Sequence, residues 1–205
     1  MKKRVKGWLR IVAVFMIAVL FSTALGGNAD AATKKKKVVV LYFSATGTTK
    51  SVAKKIKKAA NGATLIEIKA EKPYTEADLD YGDSDSRVTK EHESAKSPAL
   101  SKVRPKIANL KQIKKAVKKA DIVYIGYPIW WGEAPHIVYT LVENTNLKGK
   151  TVVPFCTSVS SGIGKSGSHL KKSAIISKKT KWKKGRSFYG ESTQKTVNKW
   201  VKTIK

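Results

Sequence analysis

Short apolar runs alternate along the chain with segments whose apolar residues recur every three or four positions. The runs are rich in β-branched residues and predict buried strands at residues 38–43, 63–68, 122–126 and 150–156, with a weaker fifth strand at 180–188. The three- and four-residue spacing predicts helices at 52–60, 113–120, 137–142, 165–172 and 197–204. Strands that alternate with helices indicate right-handed crossovers. The predicted fold class is therefore α/β, a doubly wound five-stranded parallel sheet with helices on both faces.

A polar stretch at residues 69–109 interrupts this alternation. It is too long for a structureless loop in a compact domain, so we expect a functional excursion or a short helix. Eight acidic residues lie between positions 71 and 93 and form one acidic segment. Within this segment Tyr74, Tyr81 and Arg87 either contact a ligand or decorate the surface. The aspartates there lack the spacing and the terminal Glu of a calcium loop, so no metal site is predicted.

The first 31 residues have the composition of a secretory signal peptide. Five basic residues at positions 2–10 precede an apolar run at 11–25, and Ala29-Asp30-Ala31 offers small residues for cleavage. The alternative is an uncleaved N-terminal membrane anchor, although the run is shorter than a spanning helix needs. Both interpretations predict an exported protein that is extracellular or associated with the cell envelope. Residues 32–37 are then a basic linker, and residues 38–205 are one domain.

The chain is strongly basic. It contains 42 Lys and Arg against 14 Asp and Glu, a net charge of +28, and removal of residues 1–31 leaves 37 basic and 13 acidic residues. Only five residues are arginine, whose forked donors suit the recognition of bases, so specific nucleic-acid binding is not expected. Lysine-rich proteins are attracted to anionic surfaces. We expect an anionic cell-envelope surface as the partner, either a wall polymer or lipid headgroups.

Three loops follow predicted strands, at the strand ends where ligands bind in open α/β sheets. Residues 44–49 combine four hydroxyl side chains with a helix N-terminus, which suits a phosphate group; plain helix capping is the alternative. Residues 127–135 hold two adjacent tryptophans, of which at least one is expected to cover the core edge while an exposed indole suits stacking on a planar ring. Residues 157–164 are small and allow close approach of a ligand. Nearby, His136 is expected on a helix surface, with a substrate-facing role as the alternative, and Cys156 is expected to be an inert core thiol.

The order and spacing of these loops resemble the flavodoxin family. The motifs that carry the resemblance are Ser44-Ala45-Thr46-Gly47-Thr48-Thr49 and Tyr127-Pro128-Ile129-Trp130-Trp131-Gly132, supported by Phe155-Cys156-Thr157-Ser158. The resemblance implies strand order 2-1-3-4-5 and FMN as the cofactor. It implies that the FMN phosphate is held by Ser44, Thr46, Gly47, Thr48 and Thr49. The isoalloxazine would lie between Pro128, Ile129, Trp130, Trp131 and Gly132 on one side and Thr157, Ser158, Gly162 and Gly164 on the other.

The resemblance leaves three functions open. The first is electron transfer outside the cytoplasm by an FMN protein, in which the flavin and not a catalytic side chain carries the chemistry. The second is an FMN-dependent NAD(P)H:quinone-type reductase, and the third is a non-redox binder of anionic cell-wall polymers. Flavodoxins that carry electrons are typically acidic and cytoplasmic, so the redox donor and acceptor of this basic chain must be different ones. We also expect the positive field to raise the reduction potential of the flavin.

Overall fold

The computed structural model describes residues 35–204. The predicted signal peptide of residues 1–31, the alternative membrane anchor and the first part of the linker lie outside these residues. Among residues 35–204, no helix combines the length and the apolar character that a membrane span requires.

The strands and helices follow the predicted alternation. In chain order they are β1 Val38–Tyr42, α1 Thr48–Ala59, β2 Thr64–Glu67, α2 Arg87–Glu93, α3 Leu110–Lys119, β3 Ile122–Pro128, α4 His136–Asn144, β4 Thr151–Thr157, α5 Ser166–Ser173, β5 Lys181–Trp182, β6 Arg186–Phe188 and α6 Gln194–Lys202. The polar stretch contains a 3-10 turn at Ala77–Leu79 besides α2, which confirms the expected short helix. Most boundaries differ from prediction by a few residues; among the strands that lead to the selected loops, β3 and β4 continue to Pro128 and Thr157.

The sheet has the order β2-β1-β3-β4-β5, and its strands are parallel. The predicted fifth strand is present in two pieces, since β6 also pairs with β4 beyond β5. The break faces Pro154, which has no N–H to donate to a neighbouring strand. A doubly wound α/β fold with the predicted strand order is therefore confirmed.

Alternate residues of β1 build two separate cores. Val39 and Leu41 belong to the core beneath α3 and α4, whereas Val40 and Tyr42 belong to the core beneath α1 and α6. The lysine-rich helices α1, α3 and α6 each pack an apolar stripe against one of these cores and direct their lysines away from it. Cys156 is fully buried, as expected, and burial raises the pKa of its thiol to about 11.

The centre of the sheet requires a glycine at position 126. Gly126 lies in β3 directly opposite Phe155 of β4, and a Cβ on Gly126 would stand 2.1 Å from the Phe155 ring. The ring is completely buried, so it cannot be displaced into solvent. We predict that Gly126→Ala lowers the free energy of unfolding by about 1–3 kcal/mol, measured by urea denaturation.

Gly167→Ala is the matched control for this prediction. A Cβ on Gly167, which lies within α5, would come no closer than 3.7 Å to Pro154, an ordinary contact distance. This substitution should leave the free energy of unfolding unchanged or raise it by up to about 1 kcal/mol. Equal stability of the two variants would contradict the packing argument.

Candidate functional site

The three loops selected from the sequence meet at the carboxyl ends of β1, β3 and β4. Together with the loop after β6 they border a cavity of about 570 Å³, a size that suits one cofactor. Seven of the predicted site residues line it: Thr46, Thr48, Pro128, Ile129, Trp130, Thr157 and Ser158. The other seven predicted residues, Ser44, Gly47, Thr49, Trp131, Gly132, Gly162 and Gly164, belong to the same loops but not to the lining.

The first loop presents unpaired backbone N–H groups at the N-terminus of α1. The amides of residues 46–49 have no hydrogen-bond acceptor within the described part of the chain. Gly47 caps the helix in the left-handed conformation at φ 90°, and Ser44 Oγ accepts a hydrogen bond from Lys50 N at 3.2 Å. Ser44 therefore provides the capping that the alternative interpretation requires. The remaining N–H groups, with the Thr46 and Thr48 hydroxyls beside them, form an anion-binding arrangement.

Thr49 connects this loop to strand β4. It is only 1% exposed, and its hydroxyl shares a hydrogen bond of 2.7 Å with the hydroxyl of Thr157. The two residues are 108 positions apart in the chain, so this bond fixes α1 against the end of β4. The Thr49 side chain is thus engaged with protein, and only its backbone N–H remains for a ligand.

The second loop is a tight hairpin that divides the two tryptophans. Trp130 and Glu133 exchange backbone hydrogen bonds of 2.9 Å, and Trp131 and Gly132 between them both have positive φ, as a type I′ turn requires. Trp130 packs edge-on against Phe43 at the core, which confirms that one tryptophan covers the core edge. Trp131 is 42% exposed and stacks on His92 at 4.7 Å between ring centroids.

The third loop is folded on itself and joined to the second loop. Ser158 Oγ accepts a hydrogen bond from Gly162 N at 3.1 Å, and Gly162 and Gly164 both have positive φ. Glu133 beside the hairpin pairs with His169 of α5 at 2.7 Å. This pair holds the hairpin against the segment that follows the third loop.

Five further residues line the cavity: Tyr81, Val159, Tyr189, Gly190 and Glu191. The sequence analysis named Tyr81 as a possible ligand contact but missed residues 189–191. Those residues follow β6, the second piece of the predicted fifth strand. The rule that ligands bind at the carboxyl ends of strands could therefore have found them. Glu191 is the only charged residue of the lining. The expectation that positive charge raises the flavin potential therefore has no support from the groups bordering the cavity.

The excursion at residues 69–109 supports the aromatic wall of the site. The Tyr74 ring packs against Phe43 and Trp130, and the Arg87 guanidinium lies 3.7 Å from the centre of the Tyr74 ring. Glu91 accepts hydrogen bonds from both side chains, and its burial raises the pKa of its carboxyl. Surface decoration is thus the wrong interpretation for Tyr74 and Arg87. No cluster of metal-ligating side chains occurs among residues 35–204.

His136 is buried, contrary to the expectation of a helix-surface position. It begins α4 at 3% exposure, and its Nδ1 lies 3.1 Å from the carbonyl oxygen of Val103 in the excursion. Burial lowers the pKa of His136 to about 4. The prediction was wrong because the excursion covers this helix end, which helical periodicity alone does not reveal.

The sequence pattern of the flavodoxin family matches residues 37–204. The chain belongs to the flavodoxin family. Solved structures agree with this assignment. The chain is 41% identical to a flavoprotein of Bacteroides eggerthii DSM 20697, with a TM-score of 0.70. The match covers 82% of this chain and 98% of that one. A similarly assigned protein of Bacteroides uniformis ATCC 8492 is 36% identical over the same shares, with a TM-score of 0.67. Oxidised flavodoxin 2 of Bacillus cereus, 14% identical over 82% and 97% of the two chains with a TM-score of 0.50, shares the fold. No curated protein sequence matches the chain.

The cofactor of the flavodoxin family is FMN, and the site suits it. FMN combines a dianionic phosphate with a flat aromatic ring. The unpaired N–H groups and hydroxyls of residues 46–49 suit the phosphate, and the adjoining cavity, bordered by Trp130, Tyr81 and Tyr189, suits the ring.

The buried threonine pair yields a test of how the site is held together. Thr157→Val leaves the buried Thr49 hydroxyl without a partner, so we predict a loss of about 1–3 kcal/mol in the free energy of unfolding; Thr49→Val should behave alike. The double variant removes both hydroxyls and should lose less than the sum of the single variants. Urea denaturation without added FMN measures all three proteins, and additive losses would show that the hydroxyls do not interact.

The buried histidine predicts a specific pH dependence of stability. Because the pKa of His136 is near 4 when folded and about 6.5 when unfolded, the unfolded chain takes up the additional proton between these values. The free energy of unfolding should therefore fall by about 3 kcal/mol as the pH decreases from 6.5 to 4. His136→Gln should lose this component in urea denaturations across the interval. The raised pKa of Glu91 acts with opposite sign in both proteins, and parallel profiles would contradict the assignment.

Proposed function

We propose that the chain binds one FMN noncovalently and acts as an electron-transfer protein outside the cytoplasm. The observation that carries the proposal is the unpaired N–H groups of residues 46–49 beside a cavity with an aromatic border. Bound FMN supplies the one- and two-electron chemistry. The protein holds the phosphate at the first loop, fixes the hairpin and the third loop around the ring, and excludes water with Trp130 and Ile129.

Location outside the cytoplasm is part of the proposal. The basic start of the chain, its apolar run and the small residues before Ala32 support export. The excess of lysine supports association with an anionic envelope surface, where an acidic carrier would be repelled. The donor and acceptor would then be redox proteins or small molecules of the envelope.

A reductase of quinone-type acceptors is the second candidate function. Tyr189 lines the cavity and is 66% exposed, and outside the lining Trp131 remains 42% exposed although it is stacked on His92. Such faces suit stacking of a second planar molecule. Steady oxidation of NADH or NADPH with a soluble quinone would favour the reductase, whereas reduction only through a partner protein would favour the carrier. A purified protein that is colourless and takes up no FMN would leave the non-redox binder of wall polymers.

The phosphate assignment predicts the effect of substitutions at the first loop. Thr46→Leu/Thr48→Leu removes two hydroxyls and fills the space beside them, so we expect the dissociation constant for FMN to rise about 100-fold or more. Thr46→Ser/Thr48→Ser keeps both hydroxyls and should stay within about threefold of the unsubstituted protein. Quenching of flavin fluorescence measures all three affinities. Unchanged affinity in the leucine variant would remove the phosphate from this loop.

A further inference from the structure

A second cavity lies at the opposite end of the strands, where they begin. It has a volume of about 490 Å³ and is bordered by α3, the end of α4 and the turn that precedes β4. Six polar residues line it: Lys114, Lys118, Asn144, Asn146, Lys148 and Lys150. We call this cavity the lysine basin. It contains four cationic side chains and no carboxylate.

The acidic residues nearest to the lysine basin in the chain are already bonded elsewhere. Asp121 accepts a hydrogen bond from the backbone N–H of Lys37, and Glu143 forms two hydrogen bonds with Arg104. Within the described residues Lys114, Lys118 and Lys148 take part in no ion pair. Their mutual repulsion is therefore balanced only by solvent and salt, and an anion placed among them would be strongly attracted.

Lys150 and the two asparagines of the lysine basin form hydrogen bonds with the surrounding protein. The Lys150 ammonium donates to the carbonyl oxygens of Lys118 and Ala120, at the negative end of the α3 dipole. Asn146 Oδ1 accepts from Lys148 N, which leaves its Nδ2 to donate to a ligand. Asn144 Nδ2 donates to Thr140 O, which leaves its Oδ1 to accept from a hydroxyl. The basin thus offers cations together with one free amide donor and one free amide acceptor.

We propose that the lysine basin is a binding site for a linear phosphate-bearing polymer. Lysine binds phosphate as a point charge, and three exposed ammonium groups around one cavity suit successive phosphates of a chain better than a single ion. The free amide groups suit polar spacer units between the phosphates. The inference deepens the proposed attraction to anionic envelope polymers and rests on it.

The lining argues against the two other polyanionic partners. Stable attachment to a bilayer needs apolar side chains that insert between headgroups in addition to basic residues, and the basin offers only the half-exposed Ile175 for that purpose. Recognition of bases and binding of single strands use arginine forks and aromatic stacking, and the basin lining contains neither. A flexible polymer can enter a concave surface that a flat membrane cannot follow.

The lysine basin and the proposed FMN site lie at opposite ends of the strands. The acidic segment of residues 71–93, Glu133 and Glu191 all lie beyond the carboxyl ends of the strands, on the side of the first cavity. The lysine basin lies at the amino ends. A polymer held in the basin would therefore leave the FMN site facing away from it, accessible to redox partners.

The test compares two triple variants that lower the charge equally. The basin variant carries Lys114→Gln, Lys118→Gln and Lys148→Gln, and leaves the structural Lys150 intact. The control carries Lys54→Gln, Lys57→Gln and Lys58→Gln in α1, which are exposed lysines on the other face of the sheet and also unpaired among the described residues. Binding of fluorescently labelled inorganic polyphosphate to the full chain is measured at physiological salt and at higher salt.

We expect the basin variant to bind polyphosphate about 100-fold more weakly, and the control to lose less than about threefold because distant charges are screened. Equal losses would overturn the basin while leaving a diffuse attraction to anions, and no binding by the unsubstituted protein would overturn that attraction as well. If vesicles of phosphatidylglycerol lose as much affinity for the basin variant as polyphosphate does, the polymer assignment is wrong and the basin binds a lipid surface. FMN affinity should be the same in all three proteins.

A measurement on the unsubstituted protein removes any dependence on how the variants fold. Addition of polyphosphate should shift the NMR signals of the Asn144 and Asn146 side-chain amides, because both border the basin. The protein is saturated with FMN for this measurement so that the first loop is occupied, and the backbone signals of residues 46–49 should then stay in place. Shifts confined to other surfaces would overturn the assignment.

Discussion

The structure depends on the two neighbouring strands β1 and β3, from which the chain departs toward opposite faces of the sheet. β1 leads into α1, which packs with α6, whereas β3 leads into α4 on the other face. Because parallel strands joined by right-handed crossovers must diverge where the winding direction changes, a crevice opens between the two loops. That crevice is the cavity proposed to hold FMN, and the first two loops form its two sides.

The crevice is stiffened by bonds between residues that are distant in the chain. The Thr49 and Thr157 hydroxyls join α1 to β4, and Glu133 joins the hairpin to His169 of α5. The excursion adds a third support, since Tyr74 backs Trp130 and is itself held by Arg87. A site built this way has its loop positions determined before a ligand arrives, which lowers the entropy lost on binding.

The two cavities differ in the charge of their linings and surroundings. The acidic segment and Glu191 lie at the carboxyl ends, and the lysine basin lies at the amino ends. The cavity at the carboxyl ends thus has no cation in its lining, whereas the basin at the amino ends has four.

The sequence by itself determined the five strand positions, their helices, and the loops 44–49, 127–135 and 157–164, because apolar periodicity and turn residues are local properties. It did not determine the burial of His136, the support of Trp130 by Tyr74, or the place of residues 189–191 in the lining. The sequence predicted that at least one of the two tryptophans covers the core edge, but it did not show that this one is Trp130. These features arise where segments far apart in the chain pack together, and only the tertiary structure decides which side chains such packing covers.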